Sequence, residues 1–162
     1  MPGDTQITVE SQVDGDFDWA VGEEIIIAST SFDHNESEKM TIASVSNDGT
    51  DPTRKVLGLT SALKFKHYGA IDQYGEDTID MRAEVGLLTR NIKYQGDPET
   101  SVENKYGAHI MLHSHGDESV IGRIQYCEFF NVGQAFKLGR YPIHFHMIGN
   151  VTKSIVKGNS IH

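Results

Sequence analysis

The sequence predicts an all-β chain: a small antiparallel β subdomain with a connecting loop at residues 1–80, then a parallel β-helix of about two to three coils at residues 81–162. Three observations predict it. Almost every ordered stretch is short and follows the two-residue rhythm of a strand rather than the period of a helix. The first third is punctuated by hairpin-type turns such as Ser46-Asn47-Asp48-Gly49. In the second half strand-like segments return at intervals near thirty residues. Ile110 to Ile143 is 33, and the series Ile92, Ile124, Ile155 is spaced by 32 and 31. A period of that length, built from several short strands, is what one coil of a β-helix needs. A β-sandwich sharing these spacings by accident is the alternative.

Residues 6–13 alternate Ile7, Val9, Ser11, Val13 and end at the turn signal Asp14-Gly15-Asp16. Trp19-Ala20-Val21-Gly22-Glu23-Glu24 leads into Ile25-Ile26-Ile27-Ala28, an apolar run suited to a buried strand. Residues 39–45 and 55–59 flank the Ser46-Asn47-Asp48-Gly49 turn as paired strands. Residues 64–80 are polar and glycine-punctuated, a loop or crossover holding Tyr68 and Tyr74. Residues 85–94 are strand-like; only residues 80–88 have helical character, and Gly86 weakens it. Further strands fall at 122–127 and 153–158, and Asn91, Asn131 and Asn159 suit the corners between sides. The last strand stops at Ile161-His162 without a capping element, so the coils are expected to be truncated at the C-terminus.

The net charge of -9 argues against a nucleic-acid binder, which needs a basic footprint. The one cysteine, Cys127, has no partner for an internal disulfide and no adjacent basic residue marking a nucleophile. No apolar run of membrane-spanning length exists, so no membrane insertion by this segment is expected. Sequons occur at Asn35-Glu36-Ser37 and Asn150-Val151-Thr152.

Chemistry concentrates on two histidine-bearing segments, His109-Ile110-Met111-Leu112-His113-Ser114-His115 and Gly139-Arg140-Tyr141-Pro142-Ile143-His144-Phe145-His146. If Ile110, Leu112, Ile143 and Phe145 point inward, then His109, His113, His115, His144 and His146 point outward. A 31-residue offset between coils sets His113 beside His144 and His115 beside His146; a 33-residue offset sets His113 beside His146 and Met111 beside His144. Coils stack about 4.8 Å apart, which brings imidazoles of adjacent rungs within reach of one ion. His113, His115, His144 and His146, with His109 a further candidate, are therefore the candidate ligands of a divalent, zinc-like metal. The plain alternatives are an outward ladder of polar side chains and a metal-free sugar-binding or acid–base face.

Arg140, Tyr141 and Lys137 are the candidate substrate-binding residues. The Arg140 guanidinium can grip a carboxylate in bidentate fashion, and Tyr141 can stack on a sugar ring. Equally, Arg140 can brace a turn and Tyr141 can cover the end of the core. Glycoside hydrolysis calls for a spaced pair of carboxylates. Among Asp72, Asp77, Asp80, Glu84, Asp117, Glu118 and Glu128 no spacing selects two, so catalytic residues stay unassigned and the enzyme question open.

Three segments together resemble a known family. They are residues 19–34, with Trp19-Ala20-Val21-Gly22-Glu23-Glu24 and Phe32-Asp33-His34; residues 82–92, with Arg82-Ala83-Glu84-Val85-Gly86-Leu87-Leu88-Thr89-Arg90-Asn91-Ile92; and residues 131–146, with Asn131-Val132-Gly133-Gln134 and the second histidine segment. In content and order they resemble the extracellular β-helix region of fibrocystin-like proteins, the cell migration-inducing hyaluronan-binding protein and the transmembrane cell-surface hyaluronidase. The resemblance implies a right-handed parallel β-helix within a large secreted or membrane-anchored glycoprotein. It also implies a glycosaminoglycan such as hyaluronan as partner, through hyaluronan depolymerisation, or else a non-catalytic receptor or structural ectodomain with a protein partner at the cell surface.

Overall fold

The computed structural model describes residues 1–11 and 18–162. Gln12, Val13 and the predicted Asp14-Gly15-Asp16 turn lie outside the described residues. The chain divides into two compact units, Met1–Leu87 and Leu88–His162.

The first unit is a five-stranded antiparallel sheet plus a hairpin. Its strands are β1 (Gln6–Glu10), β2 (Glu24–Ile27), β3 (Glu38–Asn47), β4 (Arg54–Leu59), β5 (Ile71–Tyr74), β6 (Asp77–Asp80) and β7 (Val85–Leu87). The sheet runs β1-β4-β3-β2-β7, and β5 pairs with β6 alone. Alternation decides which side chains enter the core. Ile25 and Ile27 of β2, Met40 and Ile42 of β3, and Leu57 and Leu59 of β4 are buried together with Val9 and Leu63. Residues 80–88 hold a strand rather than a helix. β7 pairs with β2, setting Gly86 against Ile26, because the edge of β2 offers a ladder to a segment whose glycine disfavours the helix. The loop expected at residues 64–80 contains the β5–β6 hairpin, turned at Gly75 with φ of 64°.

The second unit is the β-helix. Its elements are β8 (Ile92–Gln95), the single helical turn α1 (Ser101–Asn104), β9 (Ile110–His113), β10 (Arg123–Gln125), β11 (Cys127–Phe130), β12 (Ile143–His146), β13 (Ile155–Lys157) and β14 (Ser160–Ile161). All its strand pairs are parallel. β8, β11 and β14 stack as one side, β9 and β12 as a second, β10 and β13 as a third. One coil is thus β8-β9-β10, the next is β11-β12-β13, and β14 opens another. A small antiparallel unit followed by a partial parallel β-helix matches the predicted fold class.

The predicted Ile110–Ile143 pair is a true neighbour pair. The series Ile92, Ile124, Ile155 is not one stack. Ile92 lies beside Cys127, Ile124 beside Val156, and Ile155 beside Arg123. The reason is unequal coil length: the connection from β8 to β9 carries α1, so β8 and β11 are offset by 35 residues, whereas β11 and β14 on the same side are offset by 32 and the other two sides by 33 and 32.

Corners use left-handed backbone. Tyr126 and Asn131 have φ of 54° and 49°. Asn159 sews one corner: its Oδ1 accepts from the Cys127 N–H at 2.9 Å while its Nδ2 donates to the Ile124 carbonyl at 2.8 Å. Gly158, with φ of 64°, sits one rung from Tyr126, and a Cβ there would lie 2.5 Å from the Tyr126 ring. Inside, Phe129 is 2% exposed and packs on Tyr94 at 5.7 Å between ring centres. A Cβ on Gly122 would meet Leu112 and Phe145 at 2.8 and 3.0 Å, which places those two side chains in the coil interior.

Candidate functional site

With Leu112 and Phe145 inside, strand alternation turns the β9 and β12 histidines outward. The offset is 33 residues: His146 neighbours His113, and His144 neighbours Met111. The rings form a row. Tyr141 and His144 are 5.1 Å apart edge-to-face, His144 and His146 5.1 Å, His146 and His113 5.2 Å, and His113 and His115 6.2 Å. All four histidines predicted as ligands therefore lie in one ring row, and Tyr141 joins its end.

Hydrogen bonds define the chemistry of three of the imidazoles, those of His113, His144 and His109. His113 Nδ1 donates to the His146 carbonyl at 3.2 Å, and His144 Nδ1 donates to the Gly139 carbonyl at 2.7 Å, since a carbonyl only accepts. When neutral, both rings hold their proton on Nδ1 and carry the lone pair on Nε2. His109 is different. Arg140 NH1 donates to its Nε2 at 2.9 Å, and because a guanidinium cannot accept, that nitrogen is unprotonated. Arg140 thus braces one coil against the next through His109. It also lies in a turn in which Gln134 N–H donates to the Arg140 carbonyl and Arg140 N–H to the Lys137 carbonyl. The Lys137 side chain is exposed, in the same loop as Arg140.

Nε2 lone pairs on outward imidazoles are the donor type that zinc-like ions take. Among the described residues, no group of three or more His, Cys, Asp or Glu side chains is disposed to hold a metal ion.

The candidate carboxylates are mostly engaged locally. Asp72 accepts from Tyr68 Oη at 2.7 Å. The Arg82 guanidinium and its backbone N–H hold the Asp80 carboxyl down at about 2. The Ser119 hydroxyl and N–H keep the Asp117 carboxyl below its usual range. Glu128, on β11, is 3% exposed. Burial works to raise its carboxyl, but Lys93 Nζ at 2.7 Å, the Arg90 N–H at 3.2 Å and the nearby His162 ring more than offset that, and the net shift is downward.

This Lys93–Glu128–His162 stack escaped sequence reading. Lys93 and Glu128 are register neighbours at the 35-residue offset, and Lys93 Nζ also sits 4.3 Å over the Phe130 ring. The opposite charges are visible in the sequence, but only the correct offset brings them together. The Arg140–His109 bond was equally hidden, being a contact between coils.

The protein-family description "CEMIP beta-helix" matches residues 105–162. Mouse fibrocystin-L is 38% identical over 99% of this chain, which spans 4% of that protein. Human fibrocystin-L is 38% identical over 89% of the chain, again 4% of its length. The human cell surface hyaluronidase CEMIP2 is 34% identical over 89% of the chain, which spans 11% of it. The chain thus covers a small part of the length of each of these relatives.

Proposed function

From the premise that the chain belongs to the fibrocystin-L and CEMIP β-helix family, we propose that it is a non-catalytic receptor or structural segment of a cell-surface protein, whose outward ring row contacts a partner. Its setting is extracellular, within a larger protein, as the family's cell-surface members indicate. Among the described residues no helix is long and apolar enough to cross a membrane.

The observation that carries the reading is the direction of the hydrogen bonds at the site. His113 reaches from one coil to the carbonyl of His146 in the next, and Arg140 reaches back to His109. The polar groups hold rungs in register and leave a row of ring faces and edges outside. Such a surface suits stacking against sugar rings, with Tyr141 at one end and the Lys137 ammonium available to a uronate carboxylate. A glycosaminoglycan such as hyaluronan is the partner this chemistry fits; a cell-surface protein is the alternative. The rival reading, hyaluronan depolymerisation, draws on the likeness to CEMIP2, whose name describes a hyaluronidase.

The test is binding of hyaluronan oligosaccharides to the intact ectodomain by calorimetry, with Tyr141→Ala and His144→Ala variants. Binding weakened about tenfold or more in the folded variants, roughly 1.4 kcal/mol, supports the ring row as the contact. Binding unchanged in both variants would remove it.

A further inference from the structure

The turn between β12 and β13 carries the sequon Asn150-Val151-Thr152, and all three residues are exposed. We propose that Asn150 is a site of N-linked glycosylation. The inference rests on the extracellular placement given above, because the transfer takes place in the secretory pathway.

Local geometry separates this sequon from the other. Asn150 Oδ1 accepts from the Thr152 N–H at 2.9 Å, an Asx turn that ties up the carbonyl oxygen and leaves Nδ2 without a partner among the described residues. The neighbouring backbone anchors the turn on its coil-facing side. Ser154 N–H donates to the Val151 carbonyl at 2.8 Å, and Ser154 Oγ accepts from the Gly122 N–H of the preceding coil at 3.1 Å. Gly149, with φ of 81°, lies so close to the preceding turn that a Cβ there would sit 2.9 Å from the Gly116 carbonyl oxygen. The coil side of the turn is therefore filled, and the exposed Asn150 amide offers a sugar chain room without loss of a native hydrogen bond. At Asn35, by contrast, Nδ2 donates to Asp33 Oδ1 at 2.8 Å, and Ser37 Oγ accepts from the Ser29 N–H at 3.1 Å. A glycan there competes with the bonds that close the turn at His34–Glu36.

In the transfer, Asn150 Nδ2 bonds to the anomeric carbon of a lipid-diphosphate-linked oligosaccharide. The anomeric C–O bond breaks, the lipid diphosphate leaves with the electron pair, and one Nδ2 proton passes to the transferase.

The experiment expresses the full-length parent protein in mammalian secretory cells, removes its N-glycans with an amidase in ¹⁸O-water, and reads labelled Asn-to-Asp conversion by peptide mass spectrometry. A reporter comes from the chain itself: half-buried Asp48 accepts from the Thr50 N–H at 3.1 Å and from its hydroxyl at 2.8 Å, so Asp48→Asn creates a second sequon closed by the same Asx-turn bond. Asn150 labelled in most molecules, with the label lost in Asn150→Gln, is the expected result. Asn150 unlabelled beside a labelled Asp48→Asn reporter overturns the proposal and leaves the extracellular reading standing. With both unlabelled, the proposal and the extracellular placement fall together.

Discussion

His67 shows how much one side chain can settle. Its Nδ1 faces the Ala28 carbonyl at 2.9 Å and its Nε2 faces Glu38 Oε2 at 2.9 Å, so the ring ties the end of one strand to the next through two acceptors. Glu38, 7% exposed, also accepts from the Lys64 and Phe65 N–H groups at 2.9 and 3.0 Å. Burial works to raise its carboxyl, but those donors and His67 outweigh it and hold it below its ordinary value of 4.5. A carboxyl depressed in the folded state adds stability that is present above the unfolded value and lost as pH falls through the folded one. Glu128 follows the same sign. Melting temperature should therefore fall as pH drops below about 4.5, and Glu38→Gln should flatten that fall. At pH 7 the same substitution should cost about 1–3 kcal/mol in urea unfolding, because one amide oxygen cannot serve the Lys64 and Phe65 N–H groups and the His67 ring that the two carboxylate oxygens hold. A loss under 1 kcal/mol would show that the pair contributes little. On the ring row, ¹⁵N chemical shifts at pH 8 should report the Nδ1–H tautomer for His113 and His144; the Nε2–H form in either would contradict the pinning by the His146 and Gly139 carbonyls.

Among the elements, the corner that leads from the third side of one coil into the first side of the next is the sharpest test of the β-helix. Gly158 is left-handed and lies under the Tyr126 ring, so Gly158→Ala meets two penalties. The backbone term is about 1–2 kcal/mol, and the clash adds about 1–3 kcal/mol. In a double-mutant cycle, Tyr126→Asn should remove the clash and leave the backbone term, since Asn tolerates the left-handed region. Strict additivity would mean that the two residues are not stacked. The same scale explains what the sequence hid. Short alternating strands and the 33-residue Ile110–Ile143 repeat were legible because alternation and register are local or strictly periodic. The Ile92 anchor misled because α1 lengthens one connection and makes the β8–β11 offset 35 residues, against 32 for β11–β14. The β5–β6 hairpin was missed because its exposed positions show no apolar alternation.

At the level of the whole chain, architecture was far more legible than chemistry. An antiparallel unit around an apolar core and a parallel coil stack are each written in apolar patterning. The candidate site is written in contacts between coils. Sequence alternation placed five histidines outside, yet Arg140 donating to His109 and Lys93 pairing with Glu128 emerge only once the offsets are known. The account that results has the histidines holding rungs in register and presenting rings to a partner. Its most direct test is the length of high-molecular-mass hyaluronan after incubation with the intact parent ectodomain, beside a His144→Ala/His146→Ala variant with the same circular dichroism. Polymer length unchanged by both proteins is the predicted result. Shortening by the parent that is lost in the folded variant would make this face a catalytic centre and contradict the account.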